Sequence, residues 1–165
     1  MKIPFISLNF NNINLRKILN SSFKRILSSK IFLLGKELEK FEKNFVDLIK
    51  AKYCLGVNSG TDAIELILRA IHVNNKDAVI TASHTAVATV SAIERAGAVP
   101  VLIDINPNTY TIDANIIEKN IKIILKNNLK PKCIIPVHIY GQVAEIKKIK
   151  KICKKYNMFL LEDAA

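Results

Sequence analysis

Tryptophan is absent, and aromatic residues make up only 7% of the 165 residues. Glycine and proline number five each, too few for a fibrous repeat or a Pro/Gly-rich disordered chain. Cysteine is scarce and odd in number: Cys54, Cys133 and Cys153, with no CxxC spacing. That excludes a disulfide framework and a zinc site. Each cysteine lies in an apolar or helical stretch, so each is expected to be a small buried hydrophobe. Acidic residues are few as well, 14 against 25 lysines and arginines, which leaves a net charge of +11. Such a surplus suggests nucleic acid, but the lysines are spread along most of the chain and are not gathered with aromatics, so no nucleic-acid partner is expected. Apolar runs are short, as in Ile31-Phe32-Leu33-Leu34 and Cys133-Ile134-Ile135-Pro136-Val137. None approaches the roughly 18 residues that span a bilayer, and no membrane partner is expected. Met1 to Phe10 shows no basic stretch, apolar core and cleavage site of an export signal, which predicts a cytoplasmic protein.

What is present is a half-hydrophobic chain, able to bury a core of one domain or of one domain plus a piece of another. Its densest basic run, Lys147 to Lys155, carries Ile146, Ile149, Cys153 and Tyr156 at helical spacing. That pattern predicts one buried face and one solvated lysine face. The richness in Lys, Asn and Ile is what an AT-rich genome would produce without any ligand.

Apolar spacing predicts helices over Asn14–Ser28 and Lys36–Lys50, with Gly35 between them. Strands and helices then alternate. Strands are predicted at 53–57, 78–81, 99–104, 132–137 and 158–163. Helices are predicted at 61–71, 85–96, 113–126 and 143–156, with Gly97 ending one and Asp113 capping another. Near-continuous apolar strands separated by helices predict an α/β fold, a mostly parallel sheet with helices on both faces. Ligands in such folds bind at the carboxyl ends of strands. The residues there are Asn58 to Asp62, Ser83-His84-Thr85, Asp104, His138 to Gln142 and Glu162-Asp163.

Asn58-Ser59-Gly60-Thr61-Asp62-Ala63 joins a predicted strand to a predicted helix. Gly60 permits a tight turn. First-turn N–H groups and the hydroxyls of Ser59 and Thr61 then make a site for an anion. Gly60 is a lone glycine and no lysine follows it, so neither a dinucleotide fingerprint nor a P-loop is present. A single phosphate monoester fits better, although a capping segment without any ligand has the same local sequence. Asp163, at the end of an apolar strand, is either a solvated terminus or the partner of a protonated ring nitrogen. A cofactor that needs both a phosphate cradle and a carboxylate for its pyridinium nitrogen is pyridoxal 5'-phosphate (PLP). His84 and His138 lie at the same edge without metal-ligand spacing, and no metal is expected.

Five runs occur in order: Gly56-Val-Asn-Ser-Gly-Thr-Asp-Ala63, Ile80-Thr-Ala-Ser-His-Thr-Ala-Val-Ala-Thr89, Gly97-Ala-Val-Pro-Val-Leu-Ile-Asp-Ile105, Pro136-Val-His-Ile-Tyr-Gly-Gln142 and Glu162-Asp-Ala-Ala165. Together they resemble the DegT/DnrJ/EryC1/StrS family of PLP-dependent aminotransferases, which act on nucleotide-linked keto-sugars. Gly35 to Glu42 resembles that family's leading helix, and the resemblance runs from about Ile3 onward.

The resemblance implies a PLP-transferase fold type I large domain. It implies a helical segment at 1–50 and a PLP-binding, incomplete large domain at 51–165, with the C-terminal small domain beyond the chain. Gly60 and Thr61 would hold the cofactor phosphate, with Asp62 at the same helix start. Asp163 would pair with the ring nitrogen. His84 falls where the family places the ring, and it is the candidate stacking partner because the family's usual aromatic position is Ala86 here. The family's Schiff-base lysine lies a few dozen residues beyond Glu-Asp-Ala-Ala, so no catalytic residue is assigned within the chain. The complete enzyme would be a homodimer that transfers an amino group from an amino-acid donor, glutamate, to a keto-sugar nucleotide. The His-Ile-Tyr-Gly-Gln and Ser-His-Thr-Ala-Val-Ala-Thr variants favour a 3-keto over a 4-keto sugar. Two alternatives share the fold: an inactive remnant or partner-binding module, and a PLP-dependent sugar dehydratase.

Overall fold

The computed structural model describes residues 13–165. The export-signal expectation for Met1 to Phe10 falls outside them. The chain divides into two compact units, Met1–Gly56 and Val57–Ala165.

In the first unit, α1 spans Ile13–Ser29 and α2 spans Lys36–Ile49. Gly35 precedes α2 in extended backbone and offers its carbonyl to the N–H groups of Leu38 and Glu39. Glu37 and Glu39 occupy the first turn, where the positive end of the helix dipole favours them. The helix ends at Lys50, which turns left-handed and returns its N–H to the Val46 carbonyl. Arg25 on α1 donates to Glu37 on α2 at 2.8 Å. That bond holds the Glu37 carboxyl below its usual range. Phe41 and Phe45, one turn apart, stack with ring centroids 5.6 Å apart.

The strand expected at 53–57 does not form. A strand must spend its backbone N–H groups on a neighbour. Here the Gly56 N–H goes instead to the Glu42 carboxylate at 2.7 Å.

The second unit is the predicted sheet. Its elements are α3 (Gly60–Ala70), β1 (Asp77–Ala82), α4 (Val87–Arg95), β2 (Val99–Ile103), α5 (Ile117–Lys126), β3 (Lys130–Ile135), α6 (Ile146–Tyr156) and β4 (Phe159–Leu160). The strand order is β2-β1-β3-β4, and every pairing is parallel. Side chains alternate across the sheet as the pleat requires. Val79, Cys133 and Ile135 point to one face and pack with Ile64 and Leu68 of α3 and with Ala92 and Ile93 of α4. Ala78, Ile80 and Ile134 point to the other, against Ile117 and Ile121 of α5 and Ile149 and Ile152 of α6. Helices therefore cover both faces, and all of β1 is buried. Thr81, fully buried in β1, satisfies its hydroxyl on the Ile135 carbonyl at 2.8 Å.

Several boundaries differ from expectation for local reasons. Asp113 does not cap α5. Its carboxylate accepts from the Asn115 N–H at 2.9 Å, a local turn that delays the helix to Ile117. Likewise α4 starts at Val87 and α6 at Ile146. β4 is short, but the chain rejoins the sheet at an isolated parallel bridge between Val137 and Asp163. Gly97 ends α4 with φ 88°, the left-handed turn that favours glycine. The buried side of α6 is Ile149, Ile152 and Cys153, while Lys147, Lys150, Lys151 and Lys154 are exposed. Cys133 and Cys153 are buried, and burial pushes their thiols up to about 12 and about 11. Cys54 is half-buried.

Candidate functional site

β1 lies between β2 and β3. Its helix α4 leads out to β2 on one side, and β3 continues through α6 to β4 on the other. Connections that diverge from two adjacent strands leave a crevice at their carboxyl ends. The segments that follow β1, β3 and β4 and the start of α3 lie at this edge.

The start of α3 is an exposed turn. Ser59, in extended backbone, is the N-cap, and its hydroxyl accepts the Asp62 N–H at 3.1 Å. The Ala63 N–H bonds to the Ser59 carbonyl at 3.0 Å. The N–H groups of Gly60 and Thr61 have no protein acceptor among the described residues. These two donors, at the positive end of an 11-residue helix, can bind an anion. Gly60 is itself the first helical residue and does not have positive φ. The backbone at this turn therefore does not depend on glycine. A Cβ at this position would lie 3.7 Å from the Ala165 Cβ, an ordinary contact.

That proximity brings the Asp163 segment to the cradle. Asp163 is half-buried. Its backbone is pinned on both sides: its N–H donates to the Pro136 carbonyl at 3.0 Å, and its carbonyl accepts the His138 N–H at 2.9 Å. Its carboxylate accepts from the Ala165 N–H at 3.2 Å and from the Thr89 hydroxyl at 3.0 Å. A carboxylate has about four acceptor positions, so further ones remain for a ligand.

Asp62 turns elsewhere. Its carboxylate lies 3.6 Å from the Arg95 guanidinium, which also holds Glu65 at 2.8 Å. The ion pair ties α3 to α4, leaving Asp62 in the first turn with its charge directed at Arg95.

His84, after β1, is exposed. Its Nε2 lies 3.1 Å from the Tyr140 hydroxyl. Its ring is tilted against Tyr140 at 5.7 Å and against Tyr110 at 6.2 Å between centroids. Both tyrosines have left-handed backbones, φ 55° and 59°, uncommon for bulky residues and associated with functional sites. Ala86 is the N-cap of α4 and presents only a methyl group. His138 takes the Ala144 N–H on Nδ1 at 3.3 Å, so its Nε2 carries the proton that faces Glu162 at 3.2 Å. It is braced by its own loop and does not approach His84 through any hydrogen bond.

The structure therefore brings the Gly60 turn next to Ala165, whose N–H bonds to Asp163, and places His84 in a tyrosine cluster. From sequence, Thr85 and Tyr140 stand out only as members of strand-end runs, and Thr89 and Tyr110 are not singled out. The spacing of Thr85 and Thr89, four residues apart at a helix start, is a signal that could have found this threonine pair.

Residues 14–165 match the DegT/DnrJ/EryC1/StrS aminotransferase family, and the chain belongs to it. The chain is 40% identical over 99% of its length to a dTDP-3-amino-3,6-dideoxy-alpha-D-galactopyranose transaminase of Aneurinibacillus thermoaerophilus, covering 43% of that enzyme. It is 36% identical over 99% of its length to a UDP-2-acetamido-2-deoxy-3-oxo-D-glucuronate aminotransferase of Pseudomonas aeruginosa, covering 44% of it. Among solved structures, NtdA of Bacillus subtilis with bound cofactor PMP superposes with a TM-score of 0.87 at 34% identity, over 99% of this chain and 36% of that one. The chain thus spans less than half the length of these relatives. Among the described residues no helix is long and apolar enough to cross a membrane.

Proposed function

We propose that the protein carrying this chain is a PLP-dependent aminotransferase that moves an amino group from glutamate to a nucleotide-linked keto-sugar, with the 3-keto sugar preferred. The reading is carried by one observation. The Gly60 and Thr61 N–H groups, without a protein acceptor among the described residues, lie at a turn that approaches Ala165, and the Ala165 N–H holds the Asp163 carboxylate, which still has acceptor capacity.

The residues fit the cofactor. Gly60 and Thr61 would hold its phosphate, with no side chain at Gly60 to obstruct the approach. Asp163 would accept the N–H of the ring nitrogen and keep the proton there. When bound, PLP supplies an electron sink that allows an amino group to pass between two carbon skeletons. His84 would flank the ring where Ala86 offers no aromatic face, held at its angle by Tyr140. Asp62 would contribute at the same helix start by keeping α3 and α4 together through Arg95. The two relatives named above support the 3-keto preference, since their names specify a 3-amino and a 3-oxo sugar.

The reading assigns 1–50 to a helical segment and 51–165 to the cofactor domain, in a cytoplasmic homodimer. Support for a dimer comes from the exposed run Ile31, Phe32, Leu33 and Leu34, the last two 84% and 83% exposed.

PMP, the amine form of the cofactor, needs no covalent anchor, so it tests the cradle in this chain directly. Saturable PMP binding by calorimetry is expected, weakened roughly tenfold or more by Asp163→Ala, the cost of a charge-assisted hydrogen bond. A folded chain that shows no saturable binding refutes the reading. In the protein that carries the chain, glutamate and a nucleotide-linked 3-keto sugar should yield an amino sugar and 2-oxoglutarate. Faster turnover of the 4-keto isomer would overturn the preference.

A further inference from the structure

The backbone bridge fixes where Asp163 sits, but its carboxylate could still rotate. Two donors stop it, one on each oxygen. The Ala165 N–H takes Oδ1 at 3.2 Å, and the Thr89 hydroxyl takes Oδ2 at 3.0 Å. Thr89 is 1% exposed and lies in the first turn of α4. Its Oγ1 also lies 3.1 Å from the Thr85 Oγ1.

The direction of this chain follows from counting protons. An ionised carboxylate only accepts, and a threonine hydroxyl has a single proton. Thr89 must therefore give its proton to Asp163, and its oxygen is left to accept from Thr85. The order is Thr85 O–H to Thr89 O–H to the Asp163 carboxylate. An amide at 163 could donate to Thr89 and reverse the order; a carboxylate cannot.

We propose that Thr89, backed by Thr85, is a positioning residue that aims the free acceptor positions of Asp163 at a cationic N–H, the ring nitrogen of the cofactor. This rests on the assignment of Asp163 given above. Thr89 itself touches no ligand. It acts by orienting the one group that does, from a buried position on α4, 74 residues from Asp163 in sequence.

The experiment uses the whole chain with PMP labelled with 15N in the ring, and inorganic phosphate as a second probe. Thr89→Val keeps the branched shape and removes the hydroxyl, whereas Thr89→Ser keeps the hydroxyl. Thr89→Val should weaken PMP about tenfold. It should also make the bound ring nitrogen lose its proton at lower pH, read from its 15N shift. Thr89→Ser should restore both, and phosphate affinity should stay unchanged in both variants. Parent-like affinity and titration in Thr89→Val would overturn the proposal. So would equal losses for PMP and phosphate without rescue by serine, which mark a purely structural residue. If Thr89→Val does not fold, Thr85→Val carries the test at a half-buried position. It should shift the ring-nitrogen titration in the same direction, and no shift refutes the relay. Asp163→Asn separates the two levels. If it too leaves PMP binding intact, the cofactor assignment fails; if it alone weakens binding, only the role of Thr89 fails.

Discussion

Gly60→Pro should leave the fold intact, or stabilise it slightly, while damaging anion binding. Gly60 is the first residue of α3, the one helical position where proline is favoured, because the N–H it lacks has no intrahelical partner. The preceding residue, Ser59, has φ −155° and ψ 165°, extended backbone away from the helical region that proline disfavours in its neighbour. Space is available as well, since the nearest atom to a Cβ here is 3.7 Å away. Replacing glycine also restricts the unfolded chain, which contributes roughly 0.4–1 kcal/mol of stability where the native backbone is compatible. The substitution deletes one of the two N–H groups that have no protein acceptor. A hydrogen bond to a charged group contributes about 1.5–3 kcal/mol, so phosphate and PMP should each bind roughly 10- to 150-fold more weakly. Thermal unfolding and calorimetric titration on the same sample separate the two effects. Lost stability of more than about 1 kcal/mol would refute the backbone argument. Unchanged phosphate affinity would refute the cradle.

Three further predictions follow from packing, capping and titration. Ser59→Ala removes the acceptor of the Asp62 N–H and should cost about 1 kcal/mol in chemical denaturation, with a larger loss at pH 7 than Asp62→Asn produces. Leu68→Ala, at a fully buried position of α3 facing the sheet, should cost about 2–5 kcal/mol; a loss below 1 would mean that α3 does not pack as described. Burial raises the Cys133 thiol from 9.0 to about 12, so the folded state holds a proton that the unfolded state releases. Its contribution is complete below about pH 9 and is lost as pH rises toward 12, at roughly 1.4 kcal/mol per pH unit. Cys133→Ala should flatten the alkaline fall in stability, and Cys54 should be alkylated well before Cys133 or Cys153.

The sheet was legible because its strands are nearly continuous apolar runs and its helices show a clean 3.6-residue period. β1, buried along its whole length, is the short apolar run that a central strand requires. What misled was chemistry at element ends. Asp113 has the composition of a cap, yet its carboxylate finds the Asn115 N–H two residues on, and the helix begins later. Tyr53 to Val57 has a strand's composition, but a strand exists only where a neighbour accepts its ladder, and Glu42 took the Gly56 N–H instead. Local propensity carries no information about a partner 14 residues away in sequence.

The site divides along the same line. Gly60, Thr61 and Asp163 stand in motifs at strand ends, so their residue types point from sequence alone to an anion and to a cationic N–H. Thr89 could not be found that way. It lies inside a helix, with an ordinary side chain, and acquires a role only because the sheet order returns residue 163 to residue 89, a separation of 74 positions. Tyr110 and Tyr140 likewise converge on His84 from two different loops. Ala86, the N-cap of α4, offers no aromatic ring of its own. Two tyrosines flank His84, one of them hydrogen-bonded to it. If these rings cover the face of the proposed cofactor, Tyr140→Phe should weaken PMP only slightly, since it removes the hydroxyl and keeps the ring. His84→Ala should weaken it several-fold, as expected when a stacking contact of about 1 kcal/mol is lost. Equal, negligible effects of both would leave the ring face bare and show that Ala86 has no substitute.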